Sequence, residues 1–212
     1  MTRDRSYPNV RGIVFSALFS ALLVVLSFVH IQLPFSPVPI TLQNLAIMLA
    51  GTILGAVYGF YSVLTVVVLV ALGLPLLHGQ GGLPLLLGPT GGFIWMYPLS
   101  ALVIGFLAGR VRGSGPAAYG LTFLAAWIGN LLLYVTGVPW LAHSLDVSIP
   151  RALALGCYPY LPGDTAKAVL AAIIAVPVKQ LFPMRAVLSG GRGVIRSPQA
   201  ARDRAEQPDE LR

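Results

Sequence analysis

From Gly12 to Gly109 the chain contains no Asp, Glu, Lys or Arg. A water-soluble domain needs polar and charged side chains over much of its surface, so a stretch this long without charge must present apolar residues to lipid. Composition agrees. Of 212 residues, 56% are hydrophobic and only 10% are charged, and the mean hydropathy is +0.80, whereas soluble domains carry ~25% charged residues. The chain therefore reads as an all-α integral membrane protein of the cell membrane.

A membrane-spanning helix needs ~20 predominantly apolar residues. Such stretches occur near 12–33, 41–58, 60–77, 91–110, 116–137 and 162–182, which predicts six transmembrane helices. The second and third run together through Gly51, Gly55 and Gly59, so they read as one bent helix or as two short ones, and their combined length favours two. Arg3, Arg5 and Arg11 precede the first stretch in the manner of a signal-peptide start. Its apolar run is too long for one and no small-residue cleavage site follows, so it is read as a retained helix.

The formal charge of +7 resides in three clusters beside helix ends: Arg3, Arg5 and Arg11; Arg110 and Arg112; and Lys179, Arg185, Arg192 and Arg196. With six crossings all three share one side, and short basic loops mark the cytoplasmic face, so both termini are expected there. The connections at 34–40, 78–90 and 138–161 are then external. Basic residues so placed act as topological signals and also meet anionic lipid. No groove-reading element accompanies them, which argues against nucleic acid as a partner. The expected organisation is an N-terminal arm (1–11), a six-helix substrate-binding domain (12–188) and a disordered cytoplasmic tail (189–212) without apolar periodicity.

Against this apolar background, Asp164 and Lys167 stand three residues apart at the start of the last helical stretch. A charge at membrane depth costs at least ~2.5–3.5 kcal/mol, so something compensates each of them. One account makes Asp164 the N-cap of the helix, with Lys167 its ion-pair partner. The other makes the pair the floor of a ligand or ion site, which explains why a lysine persists where alanine or leucine is cheaper. Two further segments fall on the same side of the membrane. Pro34, Pro37 and Pro39 stiffen the connection that leads to Thr41, Gln43 and Asn44. Gly79–Gly82 and Gly88–Phe93 offer glycine backbone that a ligand can approach closely. Trp127, Asn130 and Tyr134 share a face of the fifth helix and supply an aromatic wall and an amide, while Trp95 and Trp140 read equally well as interfacial anchors.

Other chemistries find no support. Cys157 is the only cysteine, so no internal disulfide forms and it is read as a packing residue. His30, His78 and His143 are too scattered in sequence for a metal motif, and no metal or cofactor is expected. There is no nucleophile elbow or helical zinc motif, so no catalytic residue is assigned and the chain is not expected to be an enzyme. The glycine run lacks the Lys-Ser or Lys-Thr ending of a nucleotide-binding loop.

Three ordered motifs carry a family resemblance: Pro34-Phe35-Ser36-Pro37-Val38-Pro39-Ile40-Thr41-Leu42-Gln43, Leu87-Gly88-Pro89-Thr90-Gly91-Gly92-Phe93 and Leu161-Pro162-Gly163-Asp164-Thr165-Ala166-Lys167. Together they resemble the BioY family, the biotin-specific S components of energy-coupling factor (ECF) transporters. The resemblance implies a six-helix bundle that takes biotin from outside, beneath a lid formed by the first external connection. It also implies partners: a transmembrane coupling subunit and cytoplasmic ATPases. Asp164 and Lys167 match the family's acid and lysine, and Ala17 and Ala21 match the face of the first helix that meets the coupling subunit. Phe35, Gln43, Asn44, Gly91, Gly92, Phe93, Asn130 and Tyr134 complete the expected biotin contacts. Lys167 is left with two roles, the ureido carbonyl or the valerate carboxylate. Carriage of another vitamin, ion-coupled carriage without partners and a purely structural membrane role remain the alternatives.

Overall fold

The structure is a computed structural model that describes residues 10–181. The tail from 189, Arg3 and Arg5 of the arm, and Arg185, Arg192 and Arg196 lie outside the described residues. Helix α1 (Val10–Ser27) leads to a small antiparallel ladder, β1 (His30–Ile31) with β2 (Ile40–Thr41). Next come α2 (Gln43–Leu49), a π-helical turn (Ala50–Leu54), α3 (Gly55–Ala71) and the short α4 (Leu83–Leu87). Helices α5 (Gly91–Ala108), α6 (Pro116–Leu145), α7 (Ile149–Gly156) and α8 (Leu161–Leu181) complete the bundle. The protein is thus mostly helical rather than strictly all-α: the proline-rich connection closes on itself by strand pairing, His30 opposite Thr41 and Ile31 opposite Ile40.

Among the described residues, five helical stretches are long and apolar enough to cross a membrane: Val10–Ser27, Gln43–Ala71, Gly91–Ala108, Pro116–Leu145 and Leu161–Leu181. The second is not straight. Gly55 takes φ +82°, a left-handed conformation open to glycine without penalty. A Cβ built on Gly59 stands 2.9 Å from the Ala50 carbonyl oxygen, whereas nine residues of one straight helix span ~13 Å. The chain therefore doubles back at Gly55. The break predicted between 58 and 60 moves four residues earlier, because Gly55 makes the turn while Gly59 is helical and allows the two arms to touch. The first arm, α2 plus the π turn, reaches only ~18 Å, short of the ~30 Å hydrocarbon core.

Other predicted boundaries shift for identifiable reasons. Helix α6 runs 30 residues to Leu145, beyond the expected end at 137, because Pro139 is accommodated inside it and the helix stops only where Asp146 adopts φ +52°. The Val147 N–H then bonds back to the Ala142 carbonyl at 3.0 Å, a helix-ending pattern that suits a left-handed residue. The expected external loop 138–161 accordingly contains the end of α6 and all of α7, and the loop 78–90 contains α4. Lys179 lies within α8 rather than after it, with its Nζ 2.9 Å from the Ala108 carbonyl at the C-terminal end of α5.

Helix α5 is central, packing on α3 and α6, while α8 closes against α2 and α6. Hydroxyls tie α1 to α3, with Ser20 Oγ 2.7 Å from the Ser62 carbonyl and Ser16 Oγ 3.3 Å from that of Tyr58. Ala17 and Ala21 point away from these contacts and are exposed. Neighbouring Ile13, Val14, Leu18 and Val25 are exposed too, giving α1 an apolar outer face.

Candidate ligand site

Tyr160 and the turn before α8 set the depth at which the last helix begins. Tyr160 N–H and Leu161 N–H both reach the Cys157 carbonyl, and Asp164 N–H bonds the Tyr160 carbonyl at 2.8 Å. Asp164 is therefore already inside the helix, one turn in, and its carboxylate is free of cap duty. It points into the bundle, 2% exposed, with Lys167 beside it at 9%.

Four side chains from three helices converge on that carboxylate. Lys167 Nζ is 2.9 Å from Oδ1. Asn130 Nδ2 and the Tyr134 hydroxyl, one turn apart on α6, lie 2.7 and 2.6 Å from Oδ2. Asn44 Nδ2 from α2 sits 3.4 Å from each oxygen. A buried ion pair is tolerated only when its remaining lone pairs are satisfied, and here they are. The N-cap account of Asp164 is not what holds it.

The pair opens on a cavity of about 570 Å³, counting the space open at its mouth. Val38 and Pro39 of the first connection, Phe93, Ile94 and Tyr97 of α5, and Leu133 and Tyr134 of α6 form its largely apolar wall, with Thr41, Thr90, His78 and Tyr160 towards the rim. Phe93 and Tyr134 meet edge to face with centroids 6.1 Å apart. Chemically, the acceptor at the floor is saturated, whereas Lys167 spends one of its three N–H groups on Asp164. The floor as a whole has no net charge.

The proline-rich connection between α1 and α2 lies over this cavity through Val38 and Pro39. Tyr160 hydroxyl bonds to Ser36 Oγ at 3.0 Å and to the Val38 carbonyl, and Ser36 Oγ donates to the Leu155 carbonyl at 2.8 Å. Burial pushes the Tyr160 phenol above its usual pKa, so it remains a donor across the physiological range. Opposite, Ser27 Oγ at the end of α1 lies 3.0 Å from the Leu76 carbonyl and holds the second connection.

A sequence model of the BioY family matches residues 1–184. The chain belongs to the BioY family. It is 40% identical to the biotin transporter BioY of Rhizobium etli over 182 residues, 83% of this chain and 97% of that one. It is 39% identical to a probable biotin transporter BioY of Bacillus subtilis, covering 79% and 90%. Its fold resembles a 2.1 Å crystal structure of the S-component for biotin from an ECF-type ABC transporter, with TM-score 0.75, 30% identity, and 85% and 95% of the two chains covered.

Of the ligand contacts expected for a BioY protein, Asp164, Lys167, Asn44, Phe93 and Tyr134 line the cavity, and Asn130 holds Asp164 from beneath. Gln43 is fully buried beside Asn44, with both amide atoms lacking a hydrogen-bond partner. Phe35 is 58% exposed and does not line the cavity. Gly91 and Gly92 serve packing: a Cβ on Gly92 would stand 2.2 Å from that of Trp140. Trp127 bonds Thr165 Oγ1 at 3.1 Å instead of forming the wall. Trp140 and Trp95 hold the loop before α5 through the Gly88 and Leu86 carbonyls, at 2.9 and 3.2 Å. Sequence reasoning missed Tyr97, Leu133, Tyr160, Val38 and Pro39 in the wall. As ordinary residues of apolar or proline-rich stretches, they carried no contrast to mark them.

Proposed function

We propose that this BioY protein is the substrate-binding subunit of an ECF-type transporter, capturing biotin at the outer membrane face for uptake across the cytoplasmic membrane. The observation that carries the reading is a buried carboxylate and ammonium, held by Asn130, Tyr134 and Asn44, at the end of an otherwise apolar and aromatic cavity. Biotin has a polar ureido head on an apolar ring and chain. Its N–H groups reach Asp164 by displacing Asn44, the most distant of the four donors, and its carbonyl accepts from Lys167. Gln43, adjacent to Asn44 in the chain and buried with its amide unpartnered, is the further polar group this reading assigns to the set. A neutral head suits a floor of zero net charge better than the valerate carboxylate does.

In this reading both termini face the cytoplasm, with α2 and the π turn as a short second segment that dips inward and α3 returning outward from Gly55. The exposed face of Ala17 and Ala21 then meets the transmembrane coupling subunit, because small residues let helices approach closely. ATP hydrolysis belongs to the partner ATPases. Binding of radiolabelled biotin to the purified chain tests the reading, with saturable binding expected and its absence in folded protein ruling the reading out. A cysteine placed between Gly79 and Gly82 is expected to react with an impermeant reagent from outside, and reaction only from the cytoplasm overturns the orientation.

A further inference from the structure

The second connection ends in a feature that the floor of the site does not explain. Leu77 and Gln80 exchange backbone hydrogen bonds at 3.1 and 2.7 Å around His78 and Gly79, whose φ angles are +53° and +75°. This is a two-residue turn with both central residues left-handed, the type that favours Asn-Gly. His78 N–H faces Ser27 Oγ at 3.4 Å, and the imidazole meets His30 of β1 edge to face with centroids 5.3 Å apart. Two histidines 48 positions apart in sequence are thus brought together at the mouth. Nε2 of His78 is buried without a hydrogen-bond partner, and His78 lines both the inner cavity and a wider outer vestibule that includes His30, Gln32 and Gly79–Gly81.

We infer that His78 receives the anionic end of the ligand at the mouth of the cavity, with Asp164 and Lys167 holding the neutral head at its floor. The inference rests on the biotin reading, which supplies a ligand with a carboxylate at one end. Among the described residues that line either cavity there is no arginine, and Lys167 is paired with Asp164. His30 of β1 meets His78 directly, and the polar and titratable groups that share the inner cavity with it are Thr41, Asn44, Thr90, Tyr97, Tyr134, Tyr160, Asp164 and Lys167. Of these side-chain types, imidazole is the one whose ordinary pKa lies between pH 5 and 8. Burial and the neighbouring His30 hold His78 below its usual value in the empty site. A carboxylate arriving at Nε2 raises it. The added affinity is therefore full below the empty-site pKa and fades as pH rises through the higher, occupied-site pKa.

The test measures binding of biotin and of biotin methyl ester to the purified full chain between about pH 5.5 and 8.5, where a carboxylic acid stays ionised. Biotin affinity is expected to rise about tenfold towards the acid end while the ester stays within about twofold, the size of a modest charge-assisted contact. His78→Asn restores the turn's preferred Asn-Gly and removes the titrating group. It is expected to flatten the biotin profile, while the ester profile stays as flat with pH as it is in wild type. Parallel profiles for acid and ester, or a slope that survives in His78→Asn, overturn the assignment. Loss of the slope in His30→Asn alone moves the role to His30 and overturns it as well. Failure of wild type to bind either compound refutes the biotin reading itself, and this inference with it.

Discussion

The Tyr134 hydroxyl lies 2.6 Å from Oδ2 of Asp164, a hydrogen bond that crosses from α6 to α8 inside the bundle. With Asn130 on the same oxygen, it makes α6 the scaffold for the one acidic group in the cavity wall among the described residues. Tyr134→Phe keeps the edge-to-face contact with Phe93 and removes one donor. A hydrogen bond to a charged group contributes about 1.5–3 kcal/mol, so the melting temperature in detergent falls and biotin affinity drops about tenfold. An unchanged melting temperature and Kd would show that Asp164 is held without it.

Asp164 and Lys167 should not be equivalent when removed singly. Asp164→Asn leaves a buried ammonium without its counter-charge, a loss of about 3–5 kcal/mol, together with the acceptor for the ureido N–H groups. Lys167→Met leaves a carboxylate that Asn130, Tyr134 and Asn44 still satisfy, so the fold survives while affinity falls about 10–100-fold, the size of one lost charge-assisted bond. Thermal unfolding and calorimetric titration read both. Wild-type affinity in folded Lys167→Met would remove the lysine from the site.

Tyr160 fastens the first connection to the turn before α8, through Ser36 and the Val38 carbonyl. Tyr160→Phe loosens it at a cost of about 1 kcal/mol, leaving Ser36 on the Leu155 carbonyl. The expected signature is kinetic: bound biotin leaves roughly fivefold faster, with faster proteolysis between Gln32 and Pro39. Equal dissociation rates would mean that the connection does not close over the ligand.

Gly92→Ala sets a methyl group where the Trp140 side chain already is, 2.2 Å away. Relief requires α5 and α6 to separate, and overpacking of this kind costs about 1–3 kcal/mol. Lower thermal stability is expected, and biotin binding weakens because Phe93 and Tyr134 ride on the same two helices. A neutral outcome would show that the α5 and α6 backbones part at this point without cost.

Ala17→Leu adds bulk to the exposed small-residue face of α1 without touching the cavity. Biotin binding by the isolated chain stays unchanged, while co-purification with the coupling subunit and uptake in cells are lost. Normal uptake would locate the partner elsewhere on the bundle.

What could be read in advance follows from contrast. Asp164, Lys167, Asn44 and Asn130 are conspicuous because a polar or charged residue within an apolar helix demands an explanation, and these four do come together. Tyr97 and Leu133 look the same in sequence whether they face a ligand, a helix or lipid. Their roles arise from the rotation of α5 and α6 about their axes, which an almost uniformly apolar helix does not encode by period. The reversal at Gly55 was obscured for a similar reason, since Gly51, Gly55 and Gly59 share one spacing and only the backbone distinguishes the one that turns. Helix α6 runs past its expected end at 137 because Pro139 is tolerated inside it.

The cancellation of Asp164 by Lys167 has an electrical consequence. Work against a membrane potential is about 2.3 kcal/mol per elementary charge per 100 mV, and a floor whose two charges lie 2.9 Å apart moves as a small dipole with no valence. Translating this part of the bundle moves no net charge, and rotating the pair displaces at most about a tenth of an elementary charge, since 2.9 Å is a small fraction of the ~30 Å core. The membrane voltage thus has little lever on the floor of the site.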